Sequence, residues 1–207
     1  MKKFIAMGCV GVLVLGAVIL LLTGIGIYNG LVKRSAAVDA QWAVVQSKYQ
    51  RRADLIPNLV QTVQGAANFE KSTLTEIADA RASVGRVTID ASKAPEDAAK
   101  LAEYEKAQGQ LSQALSHLLM ITENYPQLKA NENFRDLTAE LAGTENRISV
   151  ERDRYNEVVR DFDVAVQTFP RVLFAGMMGF KTKPYFQATT EAQTAPKVNF
   201  DFSTPKR

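Results

Sequence analysis

Reactive side chains are scarce in this chain. It has 207 residues but only one cysteine, Cys9, and one histidine, His117. A single cysteine excludes an intramolecular disulfide, so the fold must rest on its apolar core. One histidine excludes a multi-histidine metal site. No histidine lies near Cys9 in sequence to form a Cys–His nucleophile pair, and His117, beside Leu118 and Leu119, reads as a packed or rim residue. There is no Walker loop, GxSxG elbow or HExxH motif, and no Glu-x-x-His of the kind that builds di-metal bundles. The expectation is therefore no catalytic residue, no metal and no cofactor. An excess of one charge is missing too. The 25 basic side chains face 22 acidic ones, and two of the basic ones, Lys2 and Lys3, precede everything else, so the remainder carries only +1. Nucleic acid is a poor fit as a partner, because it favours a concentrated basic face.

What the chain does have is an uncharged run from Phe4 to Ile27. That is roughly two dozen residues where about 20 suffice to span a bilayer as a helix. Lys2 and Lys3 precede the run and Lys33 and Arg34 follow it, so both ends can sit among lipid headgroups. A cleaved signal peptide is the rival reading, with Gly24-Ile25-Gly26 as its site, but the run is longer than export requires. Cys9 comes too early for a lipoprotein signal and reads as a small apolar residue of the span. Gly8, Gly11, Gly16, Gly24 and Gly26 permit close helix approach, so a homo-oligomer is expected, although glycine is common in membrane helices anyway.

Beyond the span the pattern is helical. Leu31, Val38, Trp42, Val45, Tyr49, Ile56, Leu59, Val63 and Ala66 recur at three- and four-residue steps, which predicts one helix leaving the membrane without a break and reaching about Arg81. A second amphipathic stretch runs from about Pro95 to Glu123 on Leu101, Tyr104, Leu111, Leu115, Leu118 and Ile121, with Pro95 in its first turn. The segment 85–94 is the first turn between helices and Tyr125-Pro126 the second. The third stretch carries Phe134, Leu137, Leu141, Thr144, Ile148, Glu151, Tyr155, Val158, Phe162, Ala165 and Phe169 on one seam, with Asn131 as its N-cap. Phe169-Pro170 ends it. Val172 to Phe180 is too short to span a membrane and reads as a short fourth helix closing one end of the bundle. The fold class is all-α: residues 1–3 a short tail, 4–27 a transmembrane anchor, 28–180 an up-and-down antiparallel bundle of three long helices plus a short fourth, and 181–207 an extended or mobile tail. Val198, Phe200 and Phe202 alternate with polar residues in that tail and suit docking on a neighbouring surface.

Two polar features interrupt the helical pattern. In RRADLIPNLV (51–60), Pro57 removes a backbone donor, so the helix is expected to bend or restart there with Asp54 as a cap and Arg51 paired to it. Arg51, Arg52 and Asn58 around that kink form a possible docking site, or simply a kink with satisfied polar groups. Glu151 sits in a core-facing register, and Arg52 holds the equivalent position in the first helix, so a structural Arg–carboxylate pair is expected to fix register.

The run from Tyr28-Asn29 through Trp42 to RRADLIPNLVQTV, then YPQLKANENF (125–134), TENRI (144–148), RYN (154–156), Phe169-Pro170 and Gly179-Phe180, resembles the LemA family up to about Phe186. Asp163, where an asparagine is expected, and Arg171-Val172 depart from the pattern. The resemblance implies a membrane-anchored, up-and-down bundle in the bacterial envelope, in some members associated with a membrane protease or other envelope protein. It implies no reaction, cofactor or ligand. Arg51, Arg52, Asp54, Asn58, Asn131, Glu145, Asn146, Arg147 and Asn156 are the motif residues it singles out. Together these readings describe a single-pass, non-enzymatic scaffold or adaptor of the bacterial inner membrane. Its partners would be the lipid bilayer, further copies of itself and a membrane protease or other envelope protein. The bundle is expected outside the cytoplasm. A hydrolytic site at the kink from Arg51 to Asn58, or a role as regulatory partner of a protease, are the alternatives.

Overall fold

The computed structural model describes residues 2–65 and 69–187, with side chains from residue 11 onward. The strand-like positions Val198, Phe200 and Phe202, and Ala66 of the first seam, lie outside the described residues. Among the described residues the regular structure is all helix. It comprises α1 (Lys2–Gln64), α2 (Lys71–Arg86), α3 (Ala98–Thr122), α4 (Pro126–Ala130), α5 (Glu132–Gln167) and α6 (Arg171–Met177).

α1 passes from the apolar run into the bundle without interruption. Its apolar part, with a mean hydropathy of 2.4, is long enough to cross a membrane. The bundle begins where side chains become buried, at Leu31, and the seam Val38, Trp42, Val45, Tyr49, Ile56, Leu59 and Val63 is buried throughout. The helix does not reach Arg81 as the spacing suggested. It stops at Gln64, and α2 starts anew at Lys71. Gly65 follows the last helical residue, and glycine gives up more backbone freedom in a helix than any other residue while adding no side chain to the packing. Apolar spacing alone does not register that cost.

The break sets the course of everything after it. α2 returns antiparallel to α1, and the 87–97 loop is clasped onto α1: Trp42 Nε1 donates to the carbonyl of Asp90 (2.8 Å), and Asp39 Oδ1 accepts from the Ala94 amide (3.0 Å). α3 then runs alongside α1 in the same direction, with Tyr104 bonded to Gln46 and Gln108 to Arg52. α3 begins at Ala98 rather than in the turn of Pro95, because Asp97 is the N-cap and accepts from the Ala99 amide. α5 comes back antiparallel to α1, bringing Glu140 to Arg51, Glu145 to Arg52, Glu151 to Gln41 and the Asp161 carbonyl to Arg34. Asn131 caps α5 as expected, accepting from the Phe134 amide at 3.2 Å.

Backbone packing is uneven. α1 lies close along α5 and α2 close along α3, whereas the two pairs meet mainly through side chains. The α5 seam is buried or half-buried from Phe134 to Ala165, but Phe169, expected to continue it, is exposed. α5 has ended at Gln167, and the helical register that would turn Phe169 inward ends with it. α6 is the short fourth helix, held against α1 and α5 at the membrane end. After Gly179 (φ +78°), residues 181–187 run extended along the bundle with Lys183 and Phe186 buried. Asn156 holds this strap through both of its amide groups: Oδ1 accepts from the Phe186 amide (2.9 Å) and Nδ2 donates to the Phe186 carbonyl (3.1 Å).

Candidate functional site

Between α3 and α5, where the two helix pairs do not close on each other, a water-open groove of about 820 Å³ runs along the bundle. α1 supplies its floor through Tyr49 and Arg52, α3 one wall through Glu105, Lys106, Gln110 and Gln113, and α5 the other through Glu145 and Arg152. Gln187 of the strap stands at one end.

Arg52 is the central side chain. It is 1% exposed, a position where an unpaired guanidinium would be strongly unfavourable. Its Nη1 donates to Glu145 Oε1 (2.6 Å) and Ser112 Oγ (2.7 Å). Its Nη2 bonds the Gln108 side-chain oxygen, and the guanidinium lies 5.3 Å from the Tyr49 ring centroid. One arginine of α1 therefore ties α3 to α5 across the gap. A planar guanidinium with several fixed donors suits that bridging better than a lysine ammonium would. Its Nε has no partner among the described residues, nor has Gln46 Nε2.

A second brace closes the membrane-side end. Arg152 Nη2 pairs with Glu105 Oε1 (2.6 Å), also donates to the Gln187 carbonyl (3.1 Å), and the guanidinium stacks 4.6 Å over Phe186. Glu105 in turn accepts from the Gln187 amide. Burial pushes the Glu105 carboxyl above the usual range, against the opposing pull of Arg152 and the Gln187 amide. Burial likewise pushes the Tyr49 phenol up to about 12, so it stays neutral and is no base at ordinary pH.

The residues singled out from sequence fall into two groups. Arg52 and Glu145 meet in the groove. Arg52 is the buried arginine expected to pair with a carboxylate, but its partner is Glu145, not Glu151. Antiparallel packing carries Glu151 almost two turns further toward the membrane, where it accepts from Gln41 Nε2 (2.8 Å) and Arg154 (2.7 Å). The others do not converge. Arg51 pairs with Glu140 on the exposed side instead of with Asp54, whose acceptor is taken by Gln50 Nε2 (2.8 Å). Pro57 lies inside α1 with no restart, so Asp54 caps nothing, and both Asp54 and Asn58 are exposed. Packing of Leu55, Ile56 and Leu59 into the core holds the helix together through the missing hydrogen bond. Arg147 is exposed, and no ion pair reaches it among the described residues. Asn131 serves as a cap. His117 lies outside the groove, its Nδ1 2.8 Å from Glu76 of α2.

Gln108, Ser112, Glu105 and Arg152 were missed. Gln108 had a visible signal: it fills the gap in the three-four series Leu101, Tyr104, Leu111, Leu115, so a polar residue on a buried seam marks it, as it marked Arg52. Asn156, recognised only as a motif residue, proves to hold the strap. Among the described residues no group of three or more His, Cys, Asp or Glu side chains is placed to hold a metal ion.

The LemA family model matches residues 41–200. A protein named magnetosome protein MamQ 1, from Paramagnetospirillum magneticum, is 24% identical over 186 residues, covering 81% of this chain and 67% of that protein. Protein LemA of Metamycoplasma hominis is 22% identical over 179 residues, covering 86% of this chain and 75% of its own. The matched segment contains the whole groove and its braces, and with the apolar N-terminal half of α1 these likenesses fit a membrane-anchored protein. The chain belongs to the LemA family.

Proposed function

We propose that this protein is a non-enzymatic adaptor of the bacterial cell envelope that holds a polar segment of another protein in the groove between α3 and α5. The observation that carries this reading is the state of the groove's polar groups. Those at its floor and end, Arg52, Gln108, Glu145, Glu105 and Arg152, are bonded to one another, whereas Lys106, Gln110 and Gln113 stand exposed along the α3 wall. Bound groups fix a shape; free amides and charges along a rim offer hydrogen bonds to an extended chain. The neutral Tyr49 and the distant His117 support binding over proton-transfer chemistry. Gly11, Gly16 and Gly26 have nothing within 4 Å of the position a Cβ would take, which supports lateral association of anchors into a homo-oligomer.

The test is a photoreactive residue at Gln113 in the full chain in native membranes, with Asp136, an exposed position outside the groove, as control. A discrete adduct at Gln113 that is absent at Asp136 supports the groove. If the captured protein is a membrane protease, the role narrows to its regulatory partner; adducts only with further copies of the chain make it a homo-oligomeric scaffold. Equal labelling at both positions rejects the groove as the site. The bundle is read as lying outside the cytoplasm, and an inactive phosphatase reporter fused after Arg207 would reverse that orientation.

A further inference from the structure

Outside the apolar run, the exposed large apolar side chains of the bundle are mostly scattered, with one concentration. At the membrane end, Phe169 is 75% exposed, Leu173 61% and Met177 88%, with Val172 beside them. Three of these lie on α6 and one on the turn leading into it. Isolated exposed apolar residues need no explanation, but a cluster of large ones marks a contact surface.

The position of α6 along α1 identifies what that surface meets. The ring of Phe174 lies over Gly24, 3.9 Å from where a Cβ would stand, and Tyr28 packs on Phe180 with ring centroids 5.9 Å apart. Gly24 lies in the uncharged stretch read as the span, Phe4 to Ile27, so α6 sits beside the last turn of the membrane-spanning segment. The antiparallel register of α5 agrees. Arg34 bonds the Asp161 carbonyl, and following α5 from there to its end at Gln167 at about 1.5 Å per residue comes roughly 9 Å closer to the bilayer, level with the end of the apolar run, with Phe169 in the turn just beyond. The inner side of α6 is used: Ala175 is buried against the bundle. Its other side faces outward at a depth where α1 itself is lipid-facing. Exposed Lys33, Arg34 and Arg160, with Asp161 among them, lie further along the bundle from Gly24, and exposed Arg171 and Lys181 flank the α6 segment in sequence, cations suited to the level of phosphate headgroups.

We propose that α6 and the turn before it are a second lipid-embedded element, in which Phe169, Val172, Leu173 and Met177 bed into the leaflet from which α1 emerges. The bilayer is the occupant the geometry favours because this apolar face is continuous with the segment of α1 that already spans it. A short helix lying in the interface with its apolar side toward the acyl chains is a familiar mode of membrane contact. Here it would hold the bundle at a fixed height and tilt, so that the anchor is no free tether.

The test places tryptophan at Leu173 in the full chain, reconstituted in phosphatidylethanolamine–phosphatidylglycerol vesicles, and reads emission above the background of buried Trp42. Met120→Trp, on the exposed side of α3, is the aqueous control. For Leu173→Trp the expected result is blue-shifted emission, loss of intensity when the acyl chains are brominated, and weaker quenching by acrylamide than for Met120→Trp. Met177→Trp repeats the reading at a second position should Leu173→Trp fail to fold. Acrylamide quenching equal to the control with no response to bromine overturns the proposal. So does shielding from both quenchers, which would mean a protein contact.

Discussion

The two halves of the bundle share helices but not chemistry. Nearer the membrane, the core is aromatic: Trp42 is in ring contact with Tyr104, Tyr155 and Phe186, and Tyr49 with Tyr104. Farther out it is mostly aliphatic, built on Ile56, Leu59, Val63, Ile77, Leu111, Leu115, Leu118 and Leu128. The aromatic half has polar handles, and these fasten irregular chain to helix: Trp42 holds the 87–97 loop, and Tyr155 reaches the Pro184 carbonyl in the strap. Burying a Trp or Tyr obliges its N–H or O–H to find a partner, so an aromatic core can hydrogen-bond irregular chain, whereas aliphatic side chains offer no such bond. Arg52, Gln108, Ser112 and Glu145 lie between the halves as a polar layer.

Cutting the aromatic core should be the most damaging test of this contrast. Trp42→Ala removes a fully buried ring and is expected to cost about 3–5 kcal/mol in the full chain in detergent micelles, followed by ellipticity. Leu118→Ala in the other half is expected to cost about 2–5 kcal/mol, but hydrogen exchange at Phe186 should rise only in Trp42→Ala. Equal strap release in both would erase the distinction. A narrower cut is Asn156→Ala, which removes two hydrogen bonds to the Phe186 backbone. At about 0.5–1.5 kcal/mol each, a loss of roughly 1–3 kcal/mol is expected, with faster exchange confined to the strap.

The smallest effect has the opposite sign. Asp163 accepts from the Lys183 amide at 3.0 Å in a buried site, and burial holds its carboxyl above the ordinary 3.8. A folded-state value raised in this way means the native state binds the proton more tightly, so its penalty is complete above the raised value and disappears as pH falls toward 3.8. Asp163→Asn keeps an acceptor and removes the buried charge. It is expected to stabilise at neutral pH, with the gain shrinking on acidification. A gain independent of pH would assign the effect to packing.

Much of the fold was legible because burial follows a three-four period. The seams through Val38, Trp42, Val45 and Tyr49, and through Leu141, Ile148 and Tyr155, could be read before any coordinates. The break after Gln64 was not, because the apolar series ran on across Gly65, and with it went the partner of Arg52: pairing Arg52 with Glu145 or Glu151 depends on which way α5 runs. Pro57 misled in the other direction, suggesting a break where packing carries the helix through. The groove was half-visible. Polar residues on buried seams, Arg52 and Gln108, mark its floor, but nothing in one helix's spacing reports that two others fail to close.

The central structural claim is that the polar layer joins the α1–α5 pair to the α2–α3 pair and so frames the groove. A double-mutant cycle of Arg52→Met and Glu145→Gln, measured by unfolding of the full chain in micelles, tests it most directly. Glu145 is 36% exposed, so solvent screens the pair and a coupling on the order of 1 kcal/mol is expected, with Arg52→Met alone costing about 1–3 kcal/mol because buried Gln108 loses its partner. Additive effects, with neither variant changing exchange in α3, would contradict it.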